Sequence, residues 1–349
     1  MKFEPLLEKN LLPDFAIRIG ARVITRARYK EITKVEVAAH RQRFMAYVEE
    51  LKKQPIAVNT QDANVQHYEQ PTSFFKEVLG KQMKYSCGYW KDDVPFTQLK
   101  EQLDASEEAM LALTCERAKL MDGQKILELG CGWGSLSLYM AKKFPTAQIV
   151  AVSNSATQKA YIDEQAKERS LHNLMVITED INTFDLSEKF HRVVSVEMFE
   201  HMRNYEKLME KVAKWLMPKG LLFVHIFTHE KTPYSYEVRS DNDWMTKYFF
   251  SGGTMPSQDL LHYFAKDFSL ETQWALSGKH YQKTLEAWLQ NMDAKKEILL
   301  PRMEKDMGKE AALKWWVYWR VFFMASAEFF GYKDGQAWYI SHYLFERND

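Results

Sequence analysis

Short apolar runs alternate with helical segments through the middle of the chain. Residues 125–130, 148–153, 174–178 and 192–196 are rich in Val, Ile and Leu, and such runs are typical of buried strands. Helical segments such as residues 155–170 lie between some of these runs. Strands that alternate with helices predict βαβ units and a mostly parallel sheet.

Three further strands are predicted beyond this region, at residues 220–227, 269–276 and 337–347. A long helical pattern separates the last two of them. A helix before the first strand is predicted to begin at a Ser106 cap, because acidic residues follow that serine.

The N-terminal segment has helical spacing and a basic face that includes Arg18 and Arg22. Such a face is compatible with anionic lipid, but we favour a solvated helix face packed on the main domain. The predicted divisions are an N-terminal helical extension with a polar linker (1–70), the α/β core (71–279), a helical insertion (280–335) and the final strand of the core sheet (336–349).

Composition narrows the function classes. The formal net charge is zero, which disfavours a nucleic-acid partner. The three cysteines form no CxxC pair, so we expect neither a disulfide framework nor a metal site. The first residues lack a signal-peptide pattern, and no window of 18 residues is apolar enough to span a membrane. These features predict a cytoplasmic enzyme.

A glycine-rich turn joins the first predicted strand to its helix. Gly130, Gly132 and Gly134 follow Glu128 in "ILELGCGWG". Glycines let the backbone approach a ligand closely, and open α/β sheets bind ligands at the carboxyl ends of their strands. This strand, acid, turn and helix resemble motif I of the Rossmann-like methyltransferases that use S-adenosylmethionine (SAM).

Polar residues after the next two strands are candidate cofactor ligands. Ser153, Asn154 and Gln158 stand where such enzymes often carry an acid for the ribose hydroxyls. Asp180, beside Ile181 in "TEDI", is placed to accept a hydrogen bond from the adenine amino group. A lone loop aspartate is also a common helix cap.

Six ordered motifs indicate a family. The chain resembles the cyclopropane fatty acid synthase superfamily of SAM-dependent methyltransferases, and most closely the coclaurine-type N-methyltransferases. The resemblance implies a Rossmann-like class I fold with an antiparallel last strand, SAM as cofactor, and an insertion that forms a substrate cap. The motifs are "MKYSCGYW" (83–90), "LELGCGWG" (127–134), "VSNSATQ" (152–158), "VEMFEHM" (196–202), "FFSGGTMPS" (249–257) and "LSGKHYQKTL" (276–285).

The same resemblance implies roles for individual residues. Tyr85 and Ser86 would contact the methionine part of SAM, and Glu200 and His201 would face the substrate. In the synthases a bicarbonate ion is held at positions that match Cys87, Glu200, His225 and Tyr281 here, and Phe227 replaces an aliphatic residue of that pocket. Aromatic residues of the cap, including Trp319 and Phe322, would line the substrate pocket, although core packing is the commoner fate of such residues.

Glu197 favours an amine substrate over a lipid. The synthases carry glycine at this position, whereas the coclaurine-type enzymes carry glutamate. Amines are mostly protonated at neutral pH. Glu197 and Glu200 could attract the ammonium form and His201 could take its proton as general base, with all three on one face if a helical turn begins at Glu197. We therefore predict N-methylation of a small-molecule amine.

Other readings of the sequence stay open. One alternative is methylene or methyl transfer to unsaturated phospholipid with bound bicarbonate. Membrane lipid would be the substrate only under this alternative. Methylation of a small thiol is a second, since a base in the pocket could deprotonate it. The resemblance also permits a homodimer.

Overall fold

The computed structural model describes residues 4–58, 72–238 and 243–349. Within these ranges, seven strands form one sheet in the order β3-β2-β1-β4-β5-β9-β8. The first five run parallel, β9 runs antiparallel to β5, and β8 runs antiparallel to β9. The predicted class I methyltransferase fold is confirmed. The strands of this sheet are β1 (Lys125–Leu129), β2 (Gln148–Ser153), β3 (Leu174–Thr178), β4 (Phe190–Val196), β5 (Leu216–His229), β8 (Phe268–Leu276) and β9 (Trp338–Arg347).

A small antiparallel pair accompanies the main sheet. It consists of β6 (Tyr234–Ser235) and β7 (Thr254–Met255). The helices of the described residues, in chain order, are α1 (Glu4–Glu8), α2 (Asp14–Thr33), α3 (Val37–Leu51), α4 (Thr72–Val78), α5 (Leu99–Arg117), α6 (Ser135–Lys143), α7 (Ala156–Glu168), α8 (Tyr205–Trp215), α9 (Trp244–Tyr248), α10 (Lys279–Ala294), α11 (Lys296–Met307) and α12 (Lys309–Phe330).

The inner parallel strands are buried on both faces, as helices cover them on either side, while β3 at the sheet edge is partly exposed. Leu127 and Leu129 of β1 lie in one hydrophobic cluster, while Ile126 of the same strand lies in another. This alternation follows from the period of two along a strand. Because β1 to β4 run parallel, their carboxyl ends lie together at one edge of the sheet.

Helix α5 begins seven residues before the predicted Ser106 cap. Leu99 and Leu103 are buried four residues apart, so the apolar stripe extends N-terminal to the serine. Ser106 lies inside the helix, and its hydroxyl donates a hydrogen bond to the carbonyl of Leu103. The prediction of a cap at Ser106 is wrong, because an acidic run after a serine also occurs within a helix.

The N-terminal extension is fastened to the helical insertion by ion pairs. Arg18 contacts Glu286 of α10 and Glu328 of α12, with nitrogen–oxygen distances of 2.6 and 3.1 Å. Arg22 also contacts Glu328, at 2.6 Å. This arrangement agrees with a basic face packed on the main domain. Most of the predicted linker, residues 59–71, lies outside the described residues, and no helix of the described part could cross a membrane.

Candidate active site

A cavity lies at the carboxyl ends of the parallel strands, where the fold class places its ligands. The empty space between its walls, with the open mouth included, is about 830 Å³. Its walls come from the glycine turn, from the loops after β2, β3 and β4, and from the loop before β7. The lining residues are Ala57, Val58, Leu129, Gly130, Gly132, Val152, Ser153, Asn154, Gln158, Glu179, Asp180, Ile181, Glu197, Met198, His201, Met202, Ser251, Gly252 and Gly253.

The glycine turn presents bare backbone to the cavity. Gly130 and Gly132 both have positive φ angles, +78° and +52°, which only glycine adopts without strain. A Cβ at Gly130 would lie 2.6 Å from the Met198 side chain, and a Cβ at Gly134 would lie 2.6 Å from Ile162. Gly134 therefore lets α6 approach α7, while Gly130 and Gly132 border the cavity itself.

The polar candidates after β2 and β3 meet in this cavity. Ser153, Asn154, Gln158, Asp180 and Ile181 all line it. The Ser153 hydroxyl donates to Gln158 Oε1 at 2.7 Å, so the amide nitrogen of Gln158 is turned away from that contact.

Gln158 Nε2 is buried and has no hydrogen-bond partner among the described residues. A buried donor without a partner is costly, and a ligand hydroxyl would satisfy it. The cavity wall therefore fits the ribose of SAM. Glu179 also lines the cavity and was not among the predicted residues, although it stands in the same "TEDI" segment.

Four predicted cofactor residues lie outside the cavity lining. Glu128 is buried beneath the turn, where its carboxylate accepts a hydrogen bond from the Ser137 hydroxyl and burial raises its pKa to about 8. Tyr85 packs against Phe75 and Trp288, and Ser86 accepts a hydrogen bond from Lys84. The fourth residue is Gly134, described above.

Glu197 is the most densely contacted acid of the site. Its Oε1 accepts a hydrogen bond from the Cys87 backbone N–H at 2.9 Å and lies 3.2 Å from His225 Nε2. Its Oε2 accepts one from the Tyr281 hydroxyl at 2.6 Å. Glu197 also has a φ of +48°, a left-handed backbone that costs a non-glycine residue about 1–2 kcal/mol.

Glu200 and His201 lie on a single 3-10 turn, Phe199–His201, so the helical turn begins two residues later than expected. Glu200 is buried and does not line the cavity. Its Oε1 accepts a hydrogen bond from Phe227 N–H at 2.9 Å, and its Oε2 has no partner among the described residues. Burial raises the pKa of Glu200 well above its usual value, and the nearby Glu197 adds to this effect.

His201 lines the cavity together with Glu197. Burial lowers the pKa of His201, an effect that the Glu197 carboxylate opposes. The imidazole is therefore neutral at neutral pH and able to accept a proton. The structure thus brings Glu197 and His201 to one cavity and turns Glu200 into the protein interior.

The predicted substrate-pocket residues divide into two groups. Cys87, His225 and Tyr281 surround the Glu197 carboxylate, and the Phe227 ring packs against Phe330. Trp319 and Phe322 instead lie in an aromatic cluster of the core. Other members of this cluster are Phe74, Phe75, Phe249 and Phe323. None of the six predicted substrate-pocket residues belongs to the cavity lining.

Comparison with known proteins assigns the fold to a family. The profile of the mycolic acid cyclopropane synthetase family matches residues 57–339, most of the chain. The chain belongs to this family. It is a SAM-dependent methyltransferase, since the relatives that it matches over most of its length are named N-methyltransferases and a structural neighbour at 37% identity was crystallised with SAH.

Similar family members are amine methyltransferases. The chain is 38% identical to (S)-coclaurine N-methyltransferase of Thalictrum flavum subsp. glaucum, over 98% of this chain and 94% of the relative. It is 39% identical to the enzyme of the same name from Papaver somniferum, over 98% of this chain and 96% of the relative. The crystal structure of coclaurine N-methyltransferase bound to N-methylheliamine and SAH matches with a TM-score of 0.94, at 37% identity and 99% coverage of both chains.

Replacing Gln158 should weaken cofactor binding. We expect Gln158→Leu to lower the affinity for S-adenosylhomocysteine roughly tenfold, because one buried hydrogen bond to the ribose is lost. Isothermal titration calorimetry measures this change. Gln165→Leu, at a less buried position of the same helix, is the control and should bind like the wild type. Unchanged affinity in Gln158→Leu would contradict this assignment.

Proposed function

We propose that this methyltransferase transfers the methyl group of SAM to the nitrogen of a small-molecule amine. The observation that carries the proposal is the position of the Glu197 carboxylate. Three of the four residues that the family resemblance assigns to bicarbonate, Cys87, His225 and Tyr281, direct their hydrogen bonds at this carboxylate. A side chain of the protein thus fills the place that a lipid-modifying synthase would leave for the ion.

The backbone supports the same conclusion. The left-handed φ of Glu197 suits glycine, the residue that the synthases carry here. A glutamate at this position is kept at a conformational cost, and residues under such strain cluster at functional sites. The side chain therefore contributes something that glycine cannot, and beside a methyl donor a negative charge suits a cationic amine.

The two carboxyl groups take different roles under this proposal. Burial raises the pKa of both, and at Glu197 the charge of Lys84 and then the hydrogen bonds from Cys87 and Tyr281 oppose the rise. Glu200 has one donor and an oxygen without a partner among the described residues, so a proton shared by the pair resides on Glu200. Glu197 then supplies the anion that attracts the ammonium form of the substrate.

His201 serves as the general base. It shares the cavity with Glu197, and its neutral imidazole can accept the ammonium proton and leave a nucleophilic nitrogen. SAM supplies an electrophilic methyl group on its sulfonium, so the remaining requirement is alignment of nitrogen and methyl carbon. The relatives named for (S)-coclaurine support a substrate of this kind.

A labelled-cofactor assay tests the proposed function. Purified enzyme is incubated with methyl-labelled SAM and either (S)-coclaurine, vesicles of unsaturated phospholipid, or a small thiol. We expect label in the amine and none in the acyl chains or the thiol. Label in phospholipid, particularly if bicarbonate stimulates it, would overturn the proposal, and so would label confined to the thiol.

The role of His201 predicts a separation of turnover from binding. His201→Ala should lower kcat about a hundredfold or more, the usual contribution of a general base, and should leave the affinity for S-adenosylhomocysteine unchanged. Steady-state kinetics and calorimetry measure the two quantities. His262→Ala, at an exposed histidine remote from the cavity lining, is the control. Equal losses of turnover and affinity would show that His201 is structural.

A further inference from the structure

We propose that His342 and Arg117 are positioning residues that fix the ring tautomer of His225, so that its Nε2–H always donates to Glu197. This inference rests on the proposed function, in which Glu197 acts as the anion that receives the amine. Neither His342 nor Arg117 belongs to the cavity lining. Both would act on the reaction through His225 alone.

The sheet register places these groups in one row. His225 of β5 is directly opposite His342 of β9, and His342 is in turn directly opposite Trp274 of β8. Side chains paired in this way project from the same face of a sheet. Glu197 follows the last residue of β4, the neighbour of β5 on its other side, so the row runs across the sheet from Trp274 to the active site.

Arg117 lies at the end of the row that is farther from Glu197. It is the last residue of α5, and its guanidinium lies 4.8 Å from the centre of the Trp274 ring. One of its nitrogens is 2.9 Å from His342 Nδ1. The other ring nitrogen of His342, Nε2, is 2.9 Å from His225 Nδ1, and His225 Nε2 is 3.2 Å from Glu197 Oε1.

The guanidinium sets the direction of every hydrogen bond in this row. Arginine only donates and stays protonated in proteins, so His342 Nδ1 must accept. His342 is then protonated on Nε2 and donates to His225 Nδ1. His225 is in turn protonated on Nε2 and donates to Glu197. A neutral histidine outside such a row could hold its proton on either nitrogen.

Both histidines are neutral in this arrangement. They are fully buried, and burial lowers the pKa of each well below its usual value, as do nearby cations. A row that ends on an arginine cannot carry a proton away from Glu197, because the donors all point toward the carboxylate. The row therefore keeps the His225 N–H donor directed at Glu197 and favours the ionised form of that carboxylate.

Other titratable and charged groups also face this row, and their influence is common to the variants below. Lys84 is buried near Glu197 and both histidines, and His280 faces His342. Glu116 and Tyr89 act on Arg117. The groups around Glu197 itself are Cys87, Glu200, His201 and Tyr281.

The tautomers can be read without any substrate. Protein labelled with ¹⁵N-histidine gives long-range ¹H–¹⁵N correlations that distinguish the protonated from the bare ring nitrogen, and His225→Gln and His342→Gln assign the signals. We expect Nε2–H with a bare Nδ1 in both residues at neutral pH. A proton on Nδ1 of either residue would overturn the proposal, whatever substrate the enzyme uses.

Kinetics then test the consequence for Glu197. His342→Leu removes the donor to His225, so the pKa of Glu197 should rise. Because the ionised carboxylate is the active form, activity is lost as the pH falls through this pKa, and the acidic limb of kcat/KM should move to higher pH. We expect a shift of about 0.5–1 pH unit, a three- to tenfold loss on the acidic side, with activity converging on the wild type at higher pH.

His342→Gln is the matched control. Its amide oxygen can accept from Arg117 and its amide nitrogen can donate to His225, so the wild-type profile should be retained. Arg117→Met leaves His342 in place and should shift the limb in the same direction as His342→Leu, which provides a second variant if the buried leucine impairs folding. Affinity for S-adenosylhomocysteine should be unchanged in all three.

A profile of His342→Leu or Arg117→Met that superimposes on the wild type would overturn the proposal. An equal shift in His342→Gln would do the same, since it would make the effect one of side-chain volume. If the wild-type enzyme labels no amine, the proposed function fails, yet the tautomer measurement still decides whether Arg117 and His342 fix the His225 ring.

Discussion

The site depends on hydrogen bonds between the Glu197 carboxylate and groups from three separate parts of the chain. The Cys87 N–H comes from the segment before α5, His225 from the middle of the sheet, and the Tyr281 hydroxyl from the first helix of the insertion. Each donor is mostly or fully buried, so leaving any of them without an acceptor would be costly. Glu197 therefore connects the segment before α5, the sheet and α10, at the place where the proposed function puts the methyl acceptor.

These hydrogen bonds also give different surroundings to Glu197 and Glu200, which are three residues apart in the sequence. Glu197 reaches its donors because its backbone is left-handed, and the following 3-10 turn buries Glu200 on the far side. Two carboxyl groups this close cannot both ionise readily in a buried site. Under the proposed function, Glu197, which has the richer set of donors, keeps the charge and Glu200 takes the proton.

Much of the fold and of the cofactor wall could be predicted from sequence, since both rest on local patterns. Apolar runs alternating with helices gave the parallel sheet, and Gly130 and Gly132 marked the turn. The burial of Glu200 away from the cavity could not be predicted, because it depends on the positive φ of Glu197, and residue spacing does not indicate that angle. The contribution of Ala57 was also missed. Residues 54–71 are polar and resemble a linker, yet Ala57 pairs with Asn182 and lines the cavity. The row from His225 to Trp274 could not be predicted either. It depends on the register of antiparallel strands that are far apart in sequence, and tertiary structure sets that register.

The central claim is that Glu197 is ionised while Glu200 holds a proton. Infrared spectroscopy of the protein labelled with ¹³C-glutamate measures this directly through the carbonyl stretch of buried protonated carboxyl groups at neutral pH. Spectra of Glu197→Gln and Glu200→Gln are compared with the wild type. If Glu200 holds the proton, a protonated-carboxyl band disappears in Glu200→Gln. Loss of that band in Glu197→Gln, with the spectrum of Glu200→Gln unchanged, would contradict it.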